Sequence, residues 1–307
     1  MKRIKFLLAI TGLTTPLVTA ADTTIFGTLH ANYGFLKDNG KSVDKVHMTG
    51  SRLGVKGFMP LSTGLEATYI LEAGVDLEGG QVTTDTRQAW VGLRGQLGEV
   101  RIGRQFGATK VSSAPVDLFS DQFADYNAIL ESEFTYNQSL AYINKLGSLG
   151  VAIELTKDQD FSPTDTQITA VDAVVNYSQD GMYAAFATMQ GKDSLKMSRL
   201  TGAYTFFDGH KVGASFERAR PEGAETQGHD AFVVSGGYQS GASFLKAQYG
   251  EKKSKAGGEK ESLSAVGLDY RMAKKTVLSF EYSINKNRAH LAGDQVKTTA
   301  VGLSHSF

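Results

Sequence analysis

Ile25-Phe26-Gly27-Thr28-Leu29-His30-Ala31-Asn32-Tyr33 decides the reading of this chain, because its character changes at every residue. On an extended backbone Ile25, Gly27, Leu29, Ala31 and Tyr33 point one way, and Thr28, His30 and Asn32 point the other. One face is apolar and the opposite face wet, which is the period of a half-buried strand. Ser51-Arg52-Leu53-Gly54-Val55-Lys56-Gly57-Phe58 repeats the pattern, with Arg52 and Lys56 sharing a face opposite Leu53 and Val55. Soluble sandwiches alternate in the same way, so alternation alone leaves the architecture open.

The breaks between alternating runs narrow the choice. Short breaks fall at Pro60 to Gly64, Gln96 to Gly98, Lys145 to Ser148, Asp180-Gly181, Phe207 to His210, Gln239 to Gly241 and Met272 to Lys275. Between them lie longer, more polar breaks at Lys37 to Lys45, Glu78 to Thr84, Phe106 to Glu133, Asp158 to Thr166, Gly191 to Ser194, Pro221 to His229, Lys252 to Glu261 and Lys286 to Gln295. The two kinds take turns and cut the chain into sixteen segments, most of about ten residues, the length a tilted strand needs to cross a bilayer. Short turns at one end and long loops at the other predict an all-β fold, a 16-stranded antiparallel transmembrane β-barrel. Closure follows because an open sheet edge in hydrocarbon would strand backbone N–H and C=O groups at several kcal/mol each.

Composition agrees. The 307 residues hold 34 Gly, 5 Pro, 17 Phe, 12 Tyr and 1 Trp, which suits crowded strands with aromatics at the membrane interfaces. With no cysteine, there is no thiolate nucleophile, thiolate metal site or disulfide framework. Lys2, Arg3 and Lys5, the apolar run Phe6 to Val18 and the small residues around Ala20 predict a secretory leader over 1–20 and a barrel domain over 21–307. Removing the leader's cations leaves 29 basic against 32 acidic side chains, and so no field that would attract nucleic acid.

The C-terminus, Thr299-Ala300-Val301-Gly302-Leu303-Ser304-His305-Ser306-Phe307, alternates and ends on an aromatic, which resembles the assembly signal of bacterial outer-membrane proteins. Ser51 to Gly57, Thr86-Arg87-Gln88-Ala89-Trp90-Val91-Gly92-Leu93-Arg94-Gly95 and Gly98-Glu99-Val100-Arg101-Ile102-Gly103-Arg104-Gln105 resemble strands two, four and five of general Gram-negative porins. That resemblance implies a homotrimeric, water-filled barrel in the outer membrane, in contact with its lipid and lipopolysaccharide. Such a barrel passes small hydrophilic solutes and ions down their gradients and needs no cofactor.

The resemblance also implies a third loop folded inward as a constriction. Phe106 to Glu133, the longest break, mixes apolar residues with Asp117, Asp121, Asp125 and Glu131, a composition that favours packing over disorder. Opposite those carboxylates the family's wall arginines correspond to Arg52 and Arg87, and a third basic position to Arg104, while Lys56 joins Arg52 by parity. Where some relatives carry further wall cations, this chain has Thr28 and Thr135, so a weak cation preference is expected.

Other functions of such a barrel are a channel specific for a sugar or amino acid, a surface adhesin, against which loops of mostly ten residues or fewer argue, and an enzyme. A sugar-specific channel would need an aromatic slide, for which the loop offers Phe119, Phe123 and Tyr126. An enzymatic barrel finds no support in the six histidines, His30, His47, His210, His229, His290 and His305, none of which sits in a hydrolase or metal motif. Asp158-Gln159-Asp160 and Lys252-Lys253-Ser254-Lys255 read as solvated loop charges, lacking the ligand count or glycine cradle of a metal or phosphate site.

Overall fold

The computed structural model describes residues 22–307 apart from 39–40, 48–49, 62–63, 132–133, 158–167, 193–194, 222–227, 258–259 and 288–294. The expected leader, Asp158 to Asp160 and His290 lie outside the described residues. One antiparallel sheet takes in every strand. Its first half comprises β1 (Asp22–Asp38), β2 (Lys41–His47), β3 (Arg52–Pro60), β4 (Glu66–Asp76), β5 (Gln81–Gly95), β6 (Gly98–Phe106), β7 (Thr135–Leu146), β8 (Leu149–Thr156) and β9 (Ala170–Gln179). The second half comprises β10 (Met182–Gly191), β11 (Leu195–Thr205), β12 (Lys211–Pro221), β13 (His229–Ser240), β14 (Ser243–Ser254), β15 (Glu261–Ala273), β16 (Thr276–Lys286) and β17 (Gln295–Ser306).

From β3 onward each strand pairs with the next in sequence, and β17 returns to β1 in a register running from Thr28↔Ser306 to Asp38↔Val296. That last ladder closes the ring, so no edge is left for lipid to desolvate. β2 and β3 both pair with β1, through Asn32↔His47 and Thr28↔Arg52, and are two halves of one stave. The barrel therefore has sixteen staves, as the turn rhythm predicts.

One expected break is corrected. Lys37 to Lys45 is not a long loop, because β1 and β2 pair up to Asp38↔Lys41. The polar run Lys37-Asp38 and Lys41 to Lys45 is strand that continues past the apolar band, where water solvates both faces and charge no longer reports a loop.

The burial pattern is that of a soluble protein turned inside out. Leu71, Val91, Leu200 and Ile102 are 55% to 61% exposed, on strands that alternate these residues with interior polar ones. His30, Asn32, Glu72, Asp172, Arg199, Glu217, Lys246 and Glu281 are buried instead. An apolar belt of this extent on a lone chain in water would be an aggregation surface; against hydrocarbon it is the expected outer wall. The chain end is seated by Phe307, whose N–H donates to Gly27 O at 3.1 Å and whose ring occupies the space a side chain on residue 27 would need.

Candidate functional site

Residues 107–131 connect β6 to β7 and carry α1 (Ala108–Ser112) and two single 3₁₀ turns, Ala114–Val116 and Tyr126–Ala128. Their apolar side chains Val116, Phe119, Ile129 and Leu130 are fully buried, packed with Val233, Ala231, Leu263 and Ala265. A segment with this much irregular backbone must find hydrogen-bond partners beyond its own turns. It finds them on the buried polar side chains of the staves.

The Thr109 N–H and hydroxyl donate to Asp172 of β9 at 3.0 and 2.5 Å, and Tyr183 of β10 donates to Ser112 O at 2.9 Å. Arg199 of β11, wholly buried, donates to Thr109 O (2.8 Å), Ser113 Oγ (2.9 Å) and Glu131 O (2.9 Å) while ion-paired to Glu217 of β12. Glu217 also accepts from the Glu131 N–H at 2.9 Å and contacts His229 Nε2 at 2.7 Å. Further round, Ser235 donates to Val116 O (2.6 Å), Lys246 to Leu118 O (2.8 Å) and Gln248 to Ala124 O. Glu281 of β16 accepts the Phe123 and Ala124 N–H groups at 3.0 and 3.3 Å, and Asn32 of β1 donates to Asp121 O at 3.2 Å. The segment is thus tied to side chains of β1 and of seven staves from β9 to β16.

Between this segment and β1 to β5 lies a cavity of about 840 Å³, whose lining includes Lys45, His47, Arg52, Glu72, Arg87, Phe106, Lys110, Asp117, Asp121, Phe123 and Asp125. Arg52 Nη1 lies 3.4 Å from Asp121 Oδ2 and donates to Gly50 O at 2.7 Å. Gly50 has φ +81°, and any side chain there would run into the Asp121 carboxylate, so glycine is required for this approach. Arg87 Nε donates to Glu72 Oε1 at 2.7 Å, and Phe106 lies under both Lys110 (4.4 Å) and Arg87 (5.6 Å).

Arg87 reaches the cavity by a device that parity would miss. The β4–β5 register passes from Glu72↔Gln88 to Ala73↔Thr86, leaving Arg87 as an extra residue in a bulge. Without it, Arg87 would follow Val91 and Leu93 onto the lipid-facing side, at ~2 to 4 kcal/mol for a midplane arginine.

Of the expected site residues, Arg52, Arg87, Asp117, Asp121 and Asp125 line the same cavity. Asp125 accepts the Asp121 and Asn127 N–H groups, both at 2.9 Å, and caps the second 3₁₀ turn. Asp117 is crowded by the loop's turns; burial, with the Asp125 carboxylate beside it, pushes its carboxyl well above the ordinary range. Three expected residues lie elsewhere. Lys56 sits 4.9 Å from the Phe26 ring, near the short-turn end. Arg104 pairs with Ala89 and is held by Thr86 O (2.6 Å) and Asn137 Oδ1 (2.5 Å). Glu131 engages Arg199 and Glu217 through its backbone and extends its carboxylate to 3.8 Å from Lys252.

Sequence reasoning did not single out Glu72, Lys45 or His47 as lining. Glu72 carried a usable signal, a carboxylate next to outward Leu71 in an apolar run, which must face away from lipid. The loop's aromatics take different places: Phe119 and Tyr126 are buried, and Phe123 stacks on His47 at 4.6 Å.

Among the described residues, no group of three His, Cys, Asp or Glu is placed to hold a metal, and no helix is long and apolar enough to cross a membrane. A family model described as Gram-negative porin matches residues 7–290. Major outer membrane protein P.IB of Neisseria sicca is 25% identical over 99% of both chains. Among solved structures, the anion-selective porin of Comamonas acidovorans superposes with TM-score 0.81 at 20% identity, covering 94% of this chain and 100% of that one. The OmpF of Salmonella typhi, solved with daunomycin, gives 0.76 at 15% identity over 93% and 97%. A sixteen-stave ring with an apolar outside and a polar inside, matched by a family of channels and not of enzymes, is an outer-membrane porin, and the chain belongs to the Gram-negative porin family.

Proposed function

We propose that residues 107–131 fold into the lumen, that the cavity beside them is the channel's constriction, and that small hydrophilic solutes and ions cross it by passive diffusion. The observation that carries this reading is the charged lining, in which Arg52 and Arg87 on the wall staves meet Asp121 and Asp125 on the loop, with Glu72 added on the wall and Lys110 on the loop. Charges separated across a narrow passage set a transverse field, which orders water and favours compact polar solutes over apolar ones. The burial of Phe119 supports unspecific passage over a sugar slide, since it leaves only Phe123 and the largely covered Tyr126 of the three aromatics in the lining, too few for a continuous stacking track.

The lining also bears on ion preference. Lys45, Arg52, Arg87 and Lys110 face Glu72, Asp121 and Asp125, with Asp117 held toward its neutral form. The balance favours anions slightly, against the weak cation preference expected from the loop's composition. The functional unit is proposed to be a homotrimer in outer-membrane lipid, as family membership suggests, and residues 1–20 a leader removed on export.

The test is swelling of liposomes carrying the purified protein in neutral sugars of rising mass. Uptake that falls smoothly with size supports diffusion through one constriction. Uptake of a single sugar against its size order would favour a specific channel.

A further inference from the structure

A second cavity, of about 510 Å³, lies between α1 and the wall formed by β5 to β10. Phe106 and Val111 line it and the first cavity alike, so the two adjoin. Its lining extends to Lys145 and Gly150, which pair beside the Gly147-Ser148 turn, and this places it toward the short-turn end of the barrel. Tyr183 and Asp172 hold α1 over it through Ser112 and Thr109.

The strand registers arrange the wall of this cavity in rows. Arg101 of β6, Ala141 of β7, Glu154 of β8 and Asp172 of β9 stand side by side on the inward face. Asp172 is engaged at both oxygens, accepting from Thr109 and Tyr136. Glu154 is not: it is 3% exposed, and its Oε1 has no hydrogen-bond partner among the described residues. Arg101 donates from Nη2 to Glu99 at 2.8 Å and lies over the Trp90 ring, while its Nε also lacks a partner among the described residues. A buried polar atom left unpaired is costly, and a ligand that pairs with it recovers that cost. Only the methyl group of Ala141 stands between the two side chains. Two residues nearer the turn, ~7 Å along the strands, the next inward row is Ile143, Ala152 and Val174. A charged pair with a clear gap between its members thus borders an apolar floor.

We propose that this cavity is a binding subsite for aliphatic α-amino acids. The ligand's ammonium group donates to Glu154, its carboxylate accepts from Arg101 across the gap over Ala141, and its side chain lies on Ile143, Ala152 and Val174. Arg101 and Glu154 are two strand spacings apart, ~10 Å between their backbones, which leaves room for one zwitterion between the side-chain ends. Charge-assisted hydrogen bonds at both ends favour the zwitterion over a simple amine or a simple acid. The apolar row favours a branched hydrocarbon side chain over the bare hydrogen of glycine. This rests on the reading of residues 107–131 as a lumenal loop and adds to it one class of solute, which pauses on the short-turn side of the constriction.

The test is isothermal titration calorimetry of the folded mature protein in detergent, with L-leucine as the probe. Wild type is expected to bind leucine saturably. Glycine, isoamylamine and isocaproate, which lack the side chain, the carboxylate and the ammonium group in turn, should each bind at least about tenfold more weakly. Glu154→Gln, nearly the same in shape, should weaken leucine binding by about tenfold as well. The analogue series on wild type needs no variant to fold. Equal affinity of wild type and Glu154→Gln for leucine would overturn the proposal, as would isocaproate binding as tightly as leucine or the absence of saturable leucine binding. Conductance of the same preparation separates the two readings: protein that conducts and ignores leucine refutes the subsite alone, and protein that does not conduct refutes the channel reading whatever leucine does.

Discussion

Arg52 and Arg87 look alike in sequence but stand on different ground. Arg52 meets Asp121 across a half-exposed gap of 3.4 Å, an ion pair worth ~0 to 1 kcal/mol, so it does little to hold the loop, and its part in the proposed constriction is to supply charge. Arg87 meets a buried Glu72 and depends on a bulge for its direction. Replacing both by glutamine should move the reversal potential in a potassium chloride gradient toward cation preference, changing the permeability ratio by a few-fold; an unmoved potential would place them outside the ion path. Asp117 predicts a pH effect with a definite sign. Because its carboxyl titrates well above the ordinary range, it is neutral where other carboxylates are charged, and it adds negative charge only as pH rises through that displaced titration. Wild type should therefore become more cation-preferring as pH is raised, and Asp117→Asn should lose that part of the response. A variant that tracked wild type across the whole range would contradict this.

At the scale of elements, the staves and the loop segment are held by different forces. The staves close by ladders that any alternating sequence with the right turns can make, which is why their number could be read from turn spacing. Residues 107–131 are held by polar side chains scattered over eight staves, and no local pattern marks Arg199, Glu217, Lys246 or Glu281 as their partners. Each sits at an inward position of a strand, and inward positions of a porin wall are polar for many reasons. The same limit explains Arg104, which lies beside a register shift between Gly103 and Gln105 that parity counting cannot foresee. Lys37 to Lys45 reads as a loop in sequence and is largely strand for a related reason: outside the apolar band, charge no longer separates strand from loop. The loop's buried anchors can be tested one at a time. Arg199→Leu leaves Glu217 without its guanidinium partner in a dry site, a loss of about 3–5 kcal/mol. Trypsin should then cut the folded variant after Lys110, a bond that stays protected in wild type. Equal protection would show that Arg199 does not hold the segment.

At the scale of the whole molecule, the ring exists because β17 reaches both β16 and β1, with Phe307 seated against Gly27. Deleting residues 295–307 removes one stave and opens two edges, each with unpaired backbone groups facing lipid. The truncated chain should fail to form a compact, heat-modifiable band on gels, and normal folding would mean that the seam lies elsewhere. Single-channel recording in a planar bilayer tests the central claim most directly, since a polar lumen through a closed ring must carry current. The purified, folded protein should give discrete, nearly ohmic steps in potassium chloride, and the steps should enlarge when the loop's hold is loosened by Arg199→Leu. Folded protein that inserts without conducting would contradict the account.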